Sequence, residues 1–123
     1  MACSSAPQPQ PPKRPNTELI VGDFERHPPD GVTAMRFEGD GTFRLAKTKA
    51  ELEHTPYAAQ GTYKLDGDQL TFTNEQGACT DKPADKVGTY KVVLGKVGIR
   101  FAKVTDSCER RRSIDGQTWW RVK

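Results

Sequence analysis

The residues best equipped for chemistry in this chain are two cysteines and a run of three arginines beside one of them. Cys79 lies in the turn-rich phrase Glu75-Gln76-Gly77-Ala78-Cys79-Thr80-Asp81, and Cys108 follows a strand-like run in Asp106-Ser107-Cys108. Thiols that flank turns of different hairpins can meet, and such a link adds roughly 2–4 kcal/mol to a small secreted domain. A Cys79 to Cys108 disulfide is therefore predicted, with two unpaired thiols as the alternative. No CxxC spacing occurs and both His27 and His54 are distant in sequence, so no metal site is expected. Of Arg110-Arg111-Arg112, Arg111 is the first candidate for a functional cation. A guanidinium grips a carboxylate through two parallel bonds, and the predicted staple would fix its position beside Cys108. In an extended strand Arg110 and Arg112 would point the other way.

Beyond these residues the sequence offers no catalytic constellation, and neither a catalytic residue nor a cofactor is predicted. His27 stands beside a Pro-Pro turn and His54 in a polar loop before Thr55-Pro56-Tyr57, settings that suit solvated side chains. No serine has the Gly-x-Ser-x-Gly surroundings of a nucleophile elbow. Asp40-Gly41 and Asp66-Gly67-Asp68 lack the ligand spacing of a calcium loop, and no glycine-rich nucleotide loop is present in its common forms.

The elements that must position these side chains are legible from turn chemistry and alternation. Residues 1–16 read as a flexible, Pro-rich tether, and residues 17–123 as one domain. Within the domain, Pro28-Pro29-Asp30-Gly31, Glu38-Gly39-Asp40-Gly41, Asp66-Gly67-Asp68, Glu75-Gln76-Gly77, Leu94-Gly95-Lys96 and Asp115-Gly116-Gln117 mark turns. Strands are predicted between them at 20–27, 32–38, 42–47, 58–65, 69–74, 87–94, 97–103 and 118–122. Met35/Phe37, Phe43/Leu45, Tyr63/Leu65, Leu70/Phe72, Tyr90/Val92 and Val97/Ile99/Phe101 share faces at period two and form the predicted core. By the same alternation Arg36, Arg44 and Arg100 face outward. A helical turn is expected at 48–54, capped by Thr48.

The chain has 123 residues, 34% hydrophobic and 28% charged, which leaves little apolar material for a layered α/β interior and favours a thin all-β core. Eight hairpin-linked strands in a flat sheet would leave exposed edges, so a small closed antiparallel up-and-down barrel is predicted. The net charge of +3 is scattered and aromatic residues are not interleaved with a continuous basic face. No nucleic-acid partner is expected on that ground. No stretch approaches the roughly eighteen consecutive apolar residues needed to cross a bilayer as a helix.

With the strands placed, the chain from Leu19 to Val122 resembles a small bacterial lipocalin-like, or calycin, domain. Gly22-Asp23-Phe24 stands where such barrels usually carry Gly-x-Trp, and Trp119-Trp120-Arg121 stands where a basic residue packs over that aromatic. Phe37-Glu38-Gly39-Asp40-Gly41-Thr42-Phe43, Gly61-Thr62-Tyr63-Lys64-Leu65-Asp66-Gly67-Asp68-Gln69-Leu70-Thr71 and Asp106-Ser107-Cys108-Glu109-Arg110-Arg111 are similar in phrasing to such secreted domains. Phe24 in place of Trp is a departure. Ala2-Cys3-Ser4-Ser5 ahead of the tether resembles the mature start of a bacterial lipoprotein, which implies acylation of Cys3, with Met1 an added initiator. The membrane would be engaged only through that anchor, at the cell envelope or in a secreted setting, by a monomer.

The resemblance implies a non-enzymatic protein that holds a small apolar or amphipathic molecule in its barrel. Tyr63, Tyr90, Phe101, Trp119 and Trp120 are the large rings available to line the cup, with Arg111 as the cation. Core packing alone would account for the same rings. One alternative is an envelope lipoprotein that inhibits a hydrolase through its long loops at 48–57 and 76–86. Another is a calycin-like cyclase or isomerase that acts by holding one reactive conformation.

Overall fold

The computed structural model of the chain describes residues 15–27 and 34–122. Cys3, most of the tether and the Pro28-Pro29-Asp30-Gly31 turn lie outside the described residues. Eight strands run in chain order, β1 (Gly22–Glu25), β2 (Ala34–Phe37), β3 (Thr42–Ala46), β4 (Ala59–Asp66), β5 (Gln69–Gly77), β6 (Val87–Leu94), β7 (Gly98–Asp106) and β8 (Thr118–Arg121). Each pairs antiparallel with the next, and β1 returns to β8 through Phe24↔Arg121 and Glu25↔Trp120, so the barrel is closed and up-and-down as predicted. Closure removes both sheet edges.

Strand alternation decides what enters the barrel. Phe24, Met35, Phe37, Phe43, Leu70, Phe72, Tyr90, Val92, Leu94, Ile99, Phe101 and Trp119 are buried in one cluster, with Leu45, Tyr63 and Leu65 half-buried against it. Aromatic rings form a continuous chain from Phe24 through Phe37 and Phe72 to Tyr90 and Phe101, edge-to-face at 5.9–6.2 Å except for the tilted Phe37–Phe72 pair at 6.0 Å. Val97 departs from expectation. It sits in the β6–β7 turn rather than in β7 and is 65% exposed, because pairing starts only at Gly98↔Trp120.

Two bulges re-aim side chains. Opposite Gln60 and Gly61 of β4, β5 carries Glu75 as an extra residue, and opposite Thr89 and Tyr90 of β6, β7 carries Val104. A bulge shifts parity by one. The second therefore turns Asp106 into the barrel, where unbroken alternation from Phe101 would have sent it out. Strands β5 and β7 consequently run three residues further than the sequence suggested.

One end of the barrel is closed by its termini. Helix α1 (Asn16–Leu19) takes the last residue read from sequence as tether and the three ahead of the predicted first strand, and Asn16 Nδ2 donates to Gly67 O at 2.8 Å across that end. Ile20 follows as a fully buried residue. Arg121 lies with its guanidinium 4.7 Å from the Phe24 ring centroid and donates to the carbonyls of Leu19 and Val21. That is the packing which the likeness of Gly22-Asp23-Phe24 and Arg121 implies.

The expected helical turn is present as a 3-10 segment, Ala50–Glu53, and the Thr48 hydroxyl accepts from the Glu51 N–H. It packs Leu52 onto Ala34 and Ala46 outside the barrel, a small second cluster. Arg36 faces outward as expected, and there it bonds Asp23 and Glu53. Arg44 donates to Leu52 O, while Arg100 is exposed.

Candidate functional site

Because the strands alternate in direction, the connections after β1, β3, β5 and β7 all meet at the end opposite α1. Arg26, Ala58, Ala78, Cys108, Arg110, Arg111, Ser113 and Ile114 come from those four connections, and together with inward side chains of the strands they line a cavity of about 400 Å³. Met35, Phe43, Leu45, Ala59 and Phe72 of the strands and Ile114 of the β7–β8 connection supply its apolar lining. The lining is mostly apolar.

The rim is held by covalent and ionic ties. Cys79 and Cys108 form the predicted disulfide, with Cα atoms 5.8 Å apart, and so join the β5–β6 connection to the β7–β8 connection. Cys79 adopts φ 60°, two residues after Gly77 at φ 86°, a left-handed kink that brings the loop back over the barrel. Between β5 and β6, Pro83–Lys86 form helix α2; directly after Cys108, residues Glu109–Arg112 form helix α3 rather than the extended strand expected, and the Cys108 Sγ accepts from the Arg111 N–H at 3.2 Å.

Helical geometry sends Arg111 inward alone. Its Nε donates to Asp106 Oδ2 at 2.7 Å and its Nη2 to Asp106 Oδ1 at 2.8 Å, while the carbonyls of Lys86 and Asp85 take further bonds. Asp106 also accepts from the Tyr90 hydroxyl at 2.5 Å and from the Cys108 N–H at 2.9 Å. Burial pushes the Asp106 carboxyl up, but the bonds from Arg111, Tyr90 and Cys108 outweigh it and hold the group below its ordinary range. Burial first, and then the Asp106 bond, raise the Tyr90 phenol far above its usual value. Gly88 makes room for this pair, since a Cβ there would sit 2.6 Å from Arg111 Nε and Asp106 Cγ.

The six side chains proposed from sequence as ligand lining are thus spread over the barrel. Arg111 and Trp119 border the cavity. Tyr90 and Phe101 are buried below it in the aromatic chain, and Tyr63 spends its hydroxyl on Glu38 O near the closed end. Trp120, the neighbour of Trp119 on a strand, faces out and is 53% exposed.

Two polar residues that the sequence reading passed over border the cavity instead. Asn74 on β5 is buried, and its Nδ2 donates to Ala78 O at 2.8 Å, which leaves Oδ1 without a hydrogen-bond partner among the described residues. Arg26, just past β1, lies 5.4 Å from the Trp119 ring centroid, and its Nε and the Trp119 Nε1 are also buried without partners among the described residues. The signal for both was parity, since Arg26 follows Phe24 by two and Asn74 follows Phe72 by two. No family model, curated protein or solved structure matches the chain. Among the described residues no helix is long and apolar enough to cross a membrane.

Proposed function

We propose that this chain is an extracytoplasmic, lipocalin-like binding protein that takes one small apolar or amphipathic molecule into the open end of its barrel. The observation that carries the reading is the cavity of about 400 Å³, apolar below and polar at a few points, inside a closed barrel. Pockets for small molecules run about 300–1,000 Å³ and combine an apolar lining with a few fixed polar groups. The disulfide suits an oxidising compartment, because reducing compartments keep such thiols free. Acylation of Cys3, completing an envelope lipoprotein, belongs to the same proposal and is tested by the mass that acyl chains add to the mature protein.

The binding reading is tested with the neutral dye N-phenyl-1-naphthylamine, whose emission rises in apolar surroundings. About one dye per chain is expected to bind, and Leu45→Trp, which fills the mouth from a half-buried position, is expected to weaken it at least about tenfold with Tm little changed. Absence of dye binding, or binding indifferent to Leu45→Trp, would sink the proposal.

A further inference from the structure

The polar atoms of the cavity are not scattered around its wall. Arg26 follows β1 and Trp119 belongs to β8, which is paired with β1, so these donors share one side. Asn74 belongs to β5, four strands from β1 in either direction around the ring, and its acceptor stands on the opposite side. Trp119 Nε1, Arg26 Nε and Asn74 Oδ1 are all buried without a partner among the described residues, although Trp119 is only 1% and Asn74 3% exposed. Buried polar groups are rarely left so, because each loses its hydration without recompense. Three such atoms around one cavity describe the complement of a ligand.

Charge narrows the ligand further. Arg26, Arg110 and Arg111 border the cavity, and among the described residues no carboxylate does. Arg111 is neutralised by Asp106, so its charge is already matched. Arg26 and the exposed Arg110 are the cations left to meet a ligand, and Arg26 has the buried, unpartnered Nε beside an indole N–H donor.

We propose, resting on the binding reading above, that the cavity selects amphiphiles with a carboxylate head, the anion accepting from Arg26 and Trp119 Nε1 while the tail lies over Phe43 and Phe72. A fork of guanidinium and indole donors suits a carboxylate, and charge-assisted bonds of this kind are about twice as strong as neutral ones. The Asn74 oxygen then favours tails that carry a hydroxyl or amide N–H partway along, a donor facing away from the head.

Calorimetry on the full chain with decanoate, decanol and decyltrimethylammonium, each below its micelle concentration, separates head from tail. Decanoate is expected to bind at least about tenfold more tightly than decanol, with the ammonium weakest. In Arg26→Gln the decanoate advantage over decanol is expected to disappear, and a cooperative urea transition reports that the variant is folded. Equal binding of decanoate and decanol to the unaltered chain would overturn the carboxylate selectivity and leave the cavity reading standing. Retention of the full decanoate advantage in Arg26→Gln would overturn the assignment of the head to Arg26. Failure of all three probes and of the dye would overturn both readings together.

Discussion

Asp106→Ala is expected to lower the unfolding free energy by roughly 3–5 kcal/mol, the cost of leaving a buried guanidinium without its counter-charge. The side chains of Arg111 and Asp106 are 7% and 0% exposed, so water cannot take over the role of the missing carboxylate. The loss would be a large share of a typical domain's 5–15 kcal/mol, roughly. It should register in urea denaturation as a lower midpoint. Replacing both partners by apolar residues, Asp106→Leu with Arg111→Met, is expected to recover most of it, because no charge is then stranded. A midpoint for Asp106→Ala close to that of the unaltered chain would refute the ionic tie.

The same carboxylate sets an acid limit. Its folded value lies below the ordinary 3.8, so the folded state holds its proton less tightly than the unfolded chain does. Its contribution is complete above about pH 4 and is lost as pH falls through the folded value. Asp106→Asn should flatten stability across that window and lower it at neutral pH, because the uncharged amide leaves the Arg111 guanidinium without its counter-charge. An equally steep acid loss in Asp106→Asn would place the proton elsewhere.

Removing the disulfide as Cys79→Ser with Cys108→Ser is expected to cost about 3–4 kcal/mol by the loop-closure relation, given the 29-residue separation of the two cysteines. The consequence should extend past stability. Cys108 caps helix α3, which carries Arg111 and the rim residues, so loosening this corner is expected to weaken dye binding as well. Denaturation with and without a reductant measures the first effect, and dye titration under native conditions the second. Unchanged stability on full reduction would show that the staple constrains nothing.

The barrel was readable because its grammar is local. Turns rich in Gly and Asp flank runs such as Leu70-Thr71-Phe72 and Tyr90-Lys91-Val92, whose period of two survives intact in the structure. The inward positions of Trp119, Arg26 and Asn74 follow from that same period, yet polar Arg26 and Asn74 look like strand-end solvent residues until the barrel is closed around them. Asp106 was hidden for a different reason. The Val104 bulge inverts its parity, and no residue type in Lys103-Val104-Thr105 announces a bulge. Arg111 was picked for its proximity to Cys108, but an arginine triplet reads alike in strand and helix, and only α3 turns one guanidinium in and leaves Arg110 outside.

The positions of the chain ends have a topological consequence. Both α1 and the last residues of β8 lie at the pole where Arg121 reaches the carbonyls of Leu19 and Val21. Pro15, the first described residue, therefore stands at the sealed pole, and the entrance looks the opposite way. A support that held the chain at Pro15, whether a bilayer or a bead, would face away from the approach of a solute.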